Sequence, residues 1–275
     1  MSHSYSGVIR YTSQQQGRLG QARGRERFVI TLNDDGSRSL RSHVIIQDPP
    51  MVERDVVLSV DASFHPRSAQ VRIRVGDDRE GQALFICDAH RIYGSGRTIE
   101  GEDFQECWEG SAAATFFVTH PIQADAWLLG GLGFGAEPDH RQISHFPTCS
   151  LDHRGASGPR LMVHEPPLDI FFLGEEAITI EAGQFAALHF CYGDPAVDPE
   201  GSNQAGGHPR YHIWTSSDGN FIVLRAQVDG YMQTRYELAS LTQGPSGTVP
   251  KQDYNVTTCN PSAVLTKRPT QITQT

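Results

Sequence analysis

What this sequence lacks narrows it first. It has no apolar run long enough for a membrane span or a secretory signal, and the opening residues MSHSYSGVIRYTSQQQG are polar. It has no CxxC pair. Cys87, Cys107, Cys149, Cys191 and Cys259 are odd in number, and at least two fall inside strand-like segments. Reduced thiols acting as small buried hydrophobes are expected, not a disulfide framework. Basic charge is short as well: 23 Lys and Arg against 32 Asp and Glu leave a net charge of -9. That balance argues against nucleic acid or an anionic membrane as partner. A cytoplasmic location follows as the expectation, and the sequon Asn255-Val256-Thr257 is uninformative without a secretory signal.

Familiar chemical signatures are missing too. The 12 histidines form neither HxH nor HExxH. His208 and His212 lie four apart, which on a strand separates them by about 13 Å. His140, His145 and His153 fall in a loop-like stretch, so no protein-bound metal is expected. The glycine-rich run Gly130-Gly131-Leu132-Gly133-Phe134-Gly135 lacks the phosphate-loop lysine and the strand–GxGxxG–helix context. Gly155-Ala156-Ser157-Gly158-Pro159 puts proline where a nucleophile elbow needs its last glycine. No cofactor is expected.

What is present is β-structure. A chain of 275 residues buries a core without staples. Turn residues recur at ~8–12-residue spacing with little helical periodicity between them. Gly7 to Thr12 reads as a first strand, followed by a polar link through Gly24. Phe28–Asn33 and Ser37–Gln47 form a hairpin around Asp34-Asp35-Gly36. Val52–Val60, Ala69–Val75 and Gln82–Asp88 continue the series, and Val71, Ile73 and Val75 oppose Arg72 and Arg74 as one dry and one wet face. Thr98–Gly110 and Ala112–Thr119 read as two more strands. His120 to Phe134 breaks the pattern with one or two helical turns stopped at Gly130-Gly131, and Glu137–His153 reads as loop.

A second series follows: Leu161–His164, Leu168–Leu173, Ala177–Glu181 and Phe185–Tyr192. Its last part, His208 to Leu241, is a three-stranded meander turned at Asp218-Gly219 and Asp229-Gly230. His212, Trp214 and Ser216 share one face of its first strand. The expected fold is all-β, an antiparallel lipocalin-like barrel or a two-part barrel or sandwich with a helical break near 120–133. Residues 1–24 are a strand and link, 25–241 the β-domain, and 242–275 a polar tail. The stretch 120–160 is a candidate boundary between two β halves, and the meander a candidate closing wall.

Glu181, Ala182, Gly183 and Phe185, with Trp214, Gly219, Tyr231 and Leu238 after them, follow a pattern of strand, x-Ala-Gly-x-Phe, strand, tryptophan hairpin and closing strand. This resembles the C-terminal half of an uncharacterised bacterial lipocalin-like β-barrel family, over about a quarter of the chain. The resemblance implies a barrel with a ligand-sized interior, and no catalytic residue. Many such relatives are exported.

Three clusters could carry chemistry. His90, Arg91 and Tyr93 put a base, a cation and a phenol beside Gly94 and Gly96. His120 and Asp125 open the helical break, with Trp127 after them. His189 and His212 occupy adjacent strand-like runs with Trp214, Arg225 and Tyr236 in the same series. The first five are the candidate catalytic residues. Trp127, His189, His212, Trp214, Arg225 and Tyr236 are the candidate ligand contacts. An exposed histidine, a capping aspartate and a core tryptophan are the ordinary roles for each cluster. The expected function is binding of a small apolar or aromatic molecule, with cofactor-independent lyase, isomerase or cyclase chemistry as its catalytic form. A plain carrier and a structural or interaction protein are the alternatives, and a homodimer is compatible with all three.

Overall fold

The computed structural model describes residues 3–110, 116–193, 195, 210–229 and 233–245. Eight strands come first: β1 (His3–Ser13), β2 (Ala22–Leu32), β3 (Arg38–Ile46), β4 (Val52–Val60), β5 (Pro66–Val75), β6 (Arg79–Cys87), β7 (Arg91–Arg97) and β8 (Asp103–Glu109). A single helix, α1 (Ile122–Gly131), separates them from β9 (Asp139–Ile143), β10 (Phe146–Thr148), β11 (Met162–His164), β12 (Leu168–Ile180), β13 (Gly183–Tyr192), β14 (Tyr211–Ser216), β15 (Val223–Val228) and β16 (Thr234–Pro245). The all-β, antiparallel, barrel-like expectation holds, and so does the helical break.

Fourteen strands form one sheet in the order β8-β7-β6-β5-β4-β3-β2-β1-β16-β15-β14-β13-β12-β9, with β10 and β11 paired separately. The sheet ends at two edges, β8 and β9, that do not pair with each other. The meander is therefore not a closing wall. Its last strand pairs with β1 in the middle of the sheet, Ile9 opposite Leu238 and Tyr11 opposite Tyr236. The first strand is integral to the domain, and β16 extends through residues 242–245. Residues 246–275, the rest of the expected tail, lie outside the described residues, as does Gly230.

Several strand expectations differ from the structure. Of the expected strand Ala112–Thr119, residues 112–115 lie outside the described residues, and the rest carries an isolated bridge from Val118 to Thr148 and no strand. The segment around Gly94 and Gly96, not read as a strand from the sequence, is β7. Gly94 and Gly96 fit inside a strand because a Cβ on Gly94 would meet the Phe85 ring at 2.9 Å, and one on Gly96 the Gln82 carbonyl at 2.1 Å. The close approach requires glycine. Leu168–Leu173 and Ala177–Glu181 are one strand carrying a bulge between Phe172 and Gly174. In the expected loop 137–153 lie β9 and β10.

One face of the sheet is the core. Along β4, Val52, Arg54, Val56, Leu58 and Val60 are buried, while Glu53, Asp55, Val57 and Ser59 point the other way, towards an open face. The helix packs on the core face. Trp127 is 1% exposed, sits edge-on to Phe64 at 6.1 Å, and donates its Nε1–H to the Asn220 carbonyl at 3.3 Å. Gln123 donates to the Phe221 carbonyl at 2.9 Å and accepts from the Val223 N–H at 3.0 Å, tying the helix to β15.

Candidate functional site

The three clusters read from sequence fall in three separate places. His90, Arg91 and Tyr93 lie at the β6–β7 turn, exposed and organised around Asp88, which accepts the backbone N–H groups of His90 and Arg91 at 2.9 Å each. Arg91 pairs with Asp88 at 3.4 Å and lies 5.4 Å over the Tyr93 ring. This is a surface turn, not a desolvated catalytic pocket.

His120 and Asp125 lie on the core side. His120 Nε2 bonds the Ser150 carbonyl at 2.9 Å, and burial, then Arg54, pushes its pKa down to about 3. A neutral imidazole in a buried bond serves the fold. Asp125 is pushed up to about 8 by burial and then by Glu26, and Tyr211 hydrogen-bonds to its carboxyl. Tyr192 donates to the Asp125 carbonyl at 3.0 Å. Two expected ligand contacts also belong to this packed interior and offer no surface to a ligand. Trp127 is covered as described, and Tyr236 is buried edge-on to Tyr11 at 4.6 Å.

The third cluster does assemble, on the open face instead of in an interior. Its members are directly opposed across the ladders: His189 faces Trp214, Trp214 faces Arg225, and Arg225 faces Glu237. His189 stacks on Trp214 at 4.1 Å between centroids. Arg225 lies 6.0 Å from the same ring and donates to Glu237 at 2.9 Å. Sequence reasoning missed the carboxylate of this group. Glu176 accepts the Trp214 indole N–H at 2.7 Å and lies 3.0 Å from His189 Nδ1. His189 Nε2 meets His212 Nδ1 at 2.9 Å, and His212 Nε2 lies 3.8 Å from Cys191 Sγ. Burial lowers both imidazole pKa values, that of His189 to about 4. The aromatic shelf is self-satisfied, since the Trp214 ring is already flanked by His189 and Arg225.

The roomier feature on the open face had no counterpart among the expected site residues. A trough of about 880 Å³ crosses from β16 and β1 to β7. The register builds it from two rows of side chains. In one, Val8, Arg27, His43, Asp55, Arg72 and Gln82 face their neighbours in turn. In the other, Val29, Arg41, Val57, Gln70, Leu84 and Ser95 do so. Val57 and Leu84 are 36% and 40% exposed, a high figure for aliphatic side chains in a concavity. Ile86 and Tyr93, opposite each other, extend this apolar strip past Leu84 and bring one sequence-predicted residue beside it.

The charges in the trough are unequally served. Arg72 pairs with Asp55 at 3.2 Å and Glu80 at 2.8 Å, and His43 pairs with Glu53 at 3.0 Å. The side chains of Arg27 and Arg41 make no hydrogen bond or ion pair among the described residues. The only sequence signal for the trough was the alternation of β5, where Arg72 and Arg74 opposed a valine–isoleucine face. Which strands' wet faces would align was set by register.

Among the described residues no group of His, Cys, Asp and Glu is arranged to hold a metal ion, and no helix is long and apolar enough to cross a membrane. Cys87, Cys107 and Cys149 are free thiols. No family profile matches the chain, and no curated protein does. Among solved structures, the fold is similar to a β-barrel-like protein of the domain of unknown function DUF1849 from Brucella abortus, at 11% identity over 88% of this chain and 98% of that one, with a TM-score of 0.51. A DUF1089 family protein from Pseudomonas aeruginosa is 12% identical over 76% of this chain and 90% of that one, with a TM-score of 0.41. At such identities the first likeness shows a barrel-like all-β fold alone, without a specifically lipocalin-like one.

Proposed function

We propose that this chain is a barrel-like binding protein for a small molecule with a flat apolar or aromatic body and one anionic group, held in the open-face trough. The observation that carries the reading is the pairing of unmet needs there. Val57 and Leu84 expose aliphatic surface, while Arg27 and Arg41 sit beside them with no anionic partner among the described residues. Covering the exposed part of each aliphatic side chain gains up to ~1 kcal/mol, and each charge-assisted hydrogen bond adds ~1.5–3 kcal/mol, both before the cost of immobilising the ligand.

The reading is one of binding without chemistry. The five expected catalytic residues, His90, Arg91, Tyr93, His120 and Asp125, are divided between a surface turn and a packed core, which favours the carrier alternative over lyase, isomerase or cyclase activity. A cytoplasmic setting is part of the proposal and is supported by the free cysteines. Native mass spectrometry of the purified full-length protein, before and after mild denaturation, tests it. A retained organic anion lost on Arg27→Gln/Arg41→Gln substitution is expected. A retained molecule unaffected by that substitution would place the ligand elsewhere.

A further inference from the structure

We propose that the anionic group of the trough's ligand is a phosphate monoester, received between Arg25 and Arg27 in a second hollow on β1 to β3. This rests on the trough reading for the body of the ligand and names the chemistry of its head. The second hollow measures about 390 Å³, and its walls include Arg10, Thr12, Arg25 and Ile45. It lies where the β1–β2 register shifts between Tyr11 and Thr12. Val8 and Arg27 line both hollows, so the smaller one adjoins the trough at its β1 and β2 end.

Cations accumulate there without acids to balance them. Arg10 faces Arg25 directly across the β1–β2 ladder, and Val8 faces Arg27. Like charges so placed repel, and a bound anion relieves the repulsion. Arg25 and Arg27 share a face two residues apart, about 7 Å along the strand, so their long side chains reach one anion. Arg235 faces Thr12 at the margin of the hollow, and its Nε is buried without a hydrogen-bond partner. The neighbouring carboxylates are committed elsewhere. Glu181 pairs with Arg10 at 2.5 Å, Glu237 with Arg225 at 2.9 Å, and Glu53, which faces Ile45, with His43 at 3.0 Å. The side chain of Arg25, like that of Arg27, makes no hydrogen bond or ion pair among the described residues.

The number of guanidinium groups selects the anion. A carboxylate or sulfonate is matched by one bidentate guanidinium. A phosphate monoester carries about −1.5 to −2 charges at neutral pH and three acceptor oxygens, so Arg25 and Arg27 can hold it from two sides. Arg41 lies diagonal to Arg27 on β3, since Arg27 faces His43 and Arg41 faces Val29, and adds a third cation beside the same anion. No bond is made or broken in this recognition. With the phosphate so placed, the apolar body runs from Val8 along the trough towards Val57 and Leu84.

Calorimetric titration of the full-length protein in phosphate-free buffer at neutral pH compares naphthyl phosphate, naphthalenesulfonate and inorganic phosphate. The two aromatic probes share one body and differ in the head. Naphthyl phosphate is expected to bind roughly tenfold or more tighter than either of the others. Arg25→Gln, at an exposed side chain outside the trough lining, is expected to remove the preference for phosphate over sulfonate and to leave naphthalenesulfonate binding and Tm as in the wild type. Naphthalenesulfonate binding with no preference for the phosphate, or a preference that survives Arg25→Gln, would overturn the proposal and leave the trough reading standing. Inorganic phosphate binding as tightly as naphthyl phosphate would overturn the single ligand spanning both hollows. No saturable binding of either aromatic probe would overturn the trough reading and this proposal with it.

Discussion

Glu26, in the middle of β2, accepts the backbone N–H of Ile122 at 2.8 Å across 96 positions of sequence. The helix has no side-chain cap of its own, because Pro121 stands at its N-cap. A carboxylate from the sheet takes that role and also reaches Gln123 N at 3.4 Å, Ser42 Oγ at 2.9 Å and Tyr11 Oη at 3.2 Å. Glu26→Ala strips four donors of their acceptor in a fully buried site. A loss of about 2–4 kcal/mol is expected in urea unfolding, with a smaller loss for Glu26→Gln, which keeps one oxygen.

Asp125 gives the fold a pH dependence of calculable sign. Its pKa is about 8 in the folded chain against an ordinary value of 3.8, so between these values the folded state holds a proton that the unfolded state has released. The contribution is full below pH 4 and is lost as pH rises through 8. Stability should therefore fall over that window by up to roughly 6 kcal/mol from this group, at about 1.4 kcal/mol per pH unit. In Asp125→Asn that decline should flatten. Thermal melts of both proteins at pH 5, 7 and 9 check it, and parallel curves would show that Asp125 is not the group responsible.

Gly96 is constrained by space and not by turn chemistry. A Cβ there would lie 2.6 Å from Ala83 Cα as well as against the Gln82 carbonyl, both backbone atoms of the neighbouring strand. Gly96→Ala should separate β6 from β7 and lower stability by about 1–3 kcal/mol, with hydrogen exchange accelerated first in those two strands.

Much of the fold was legible because it is local. The Asp34-Asp35-Gly36 hairpin, the alternation of β5 and the helical break after His120 all rest on residues within a dozen positions of one another. The His189, His212, Trp214 and Arg225 group was also legible, since consecutive strands with period-2 alternation place such residues on one face. Two kinds of information were not local. The pairing of β1 with β16 joins residues more than 200 positions apart, and nothing in either strand names its partner. Glu26 caps α1 across 96 positions, and the alignment of Arg27, Arg41, Val57 and Leu84 in one trough depends on the combined register of five consecutive strands. Glu176 was hidden for a different reason. Only a bulge, which changes parity within one strand, puts it beside His189.

The central claim, ligand binding in the open-face trough, is tested most directly by equilibrium titration with 1-anilinonaphthalene-8-sulfonate, an aromatic body bearing one anion. Fluorescence should saturate with about one site per chain in the wild-type protein. Arg27→Gln/Arg41→Gln and Val57→Asp should each weaken binding about tenfold or more at unchanged Tm. Equal affinity in all three proteins, or no saturable binding by the wild type, would contradict it.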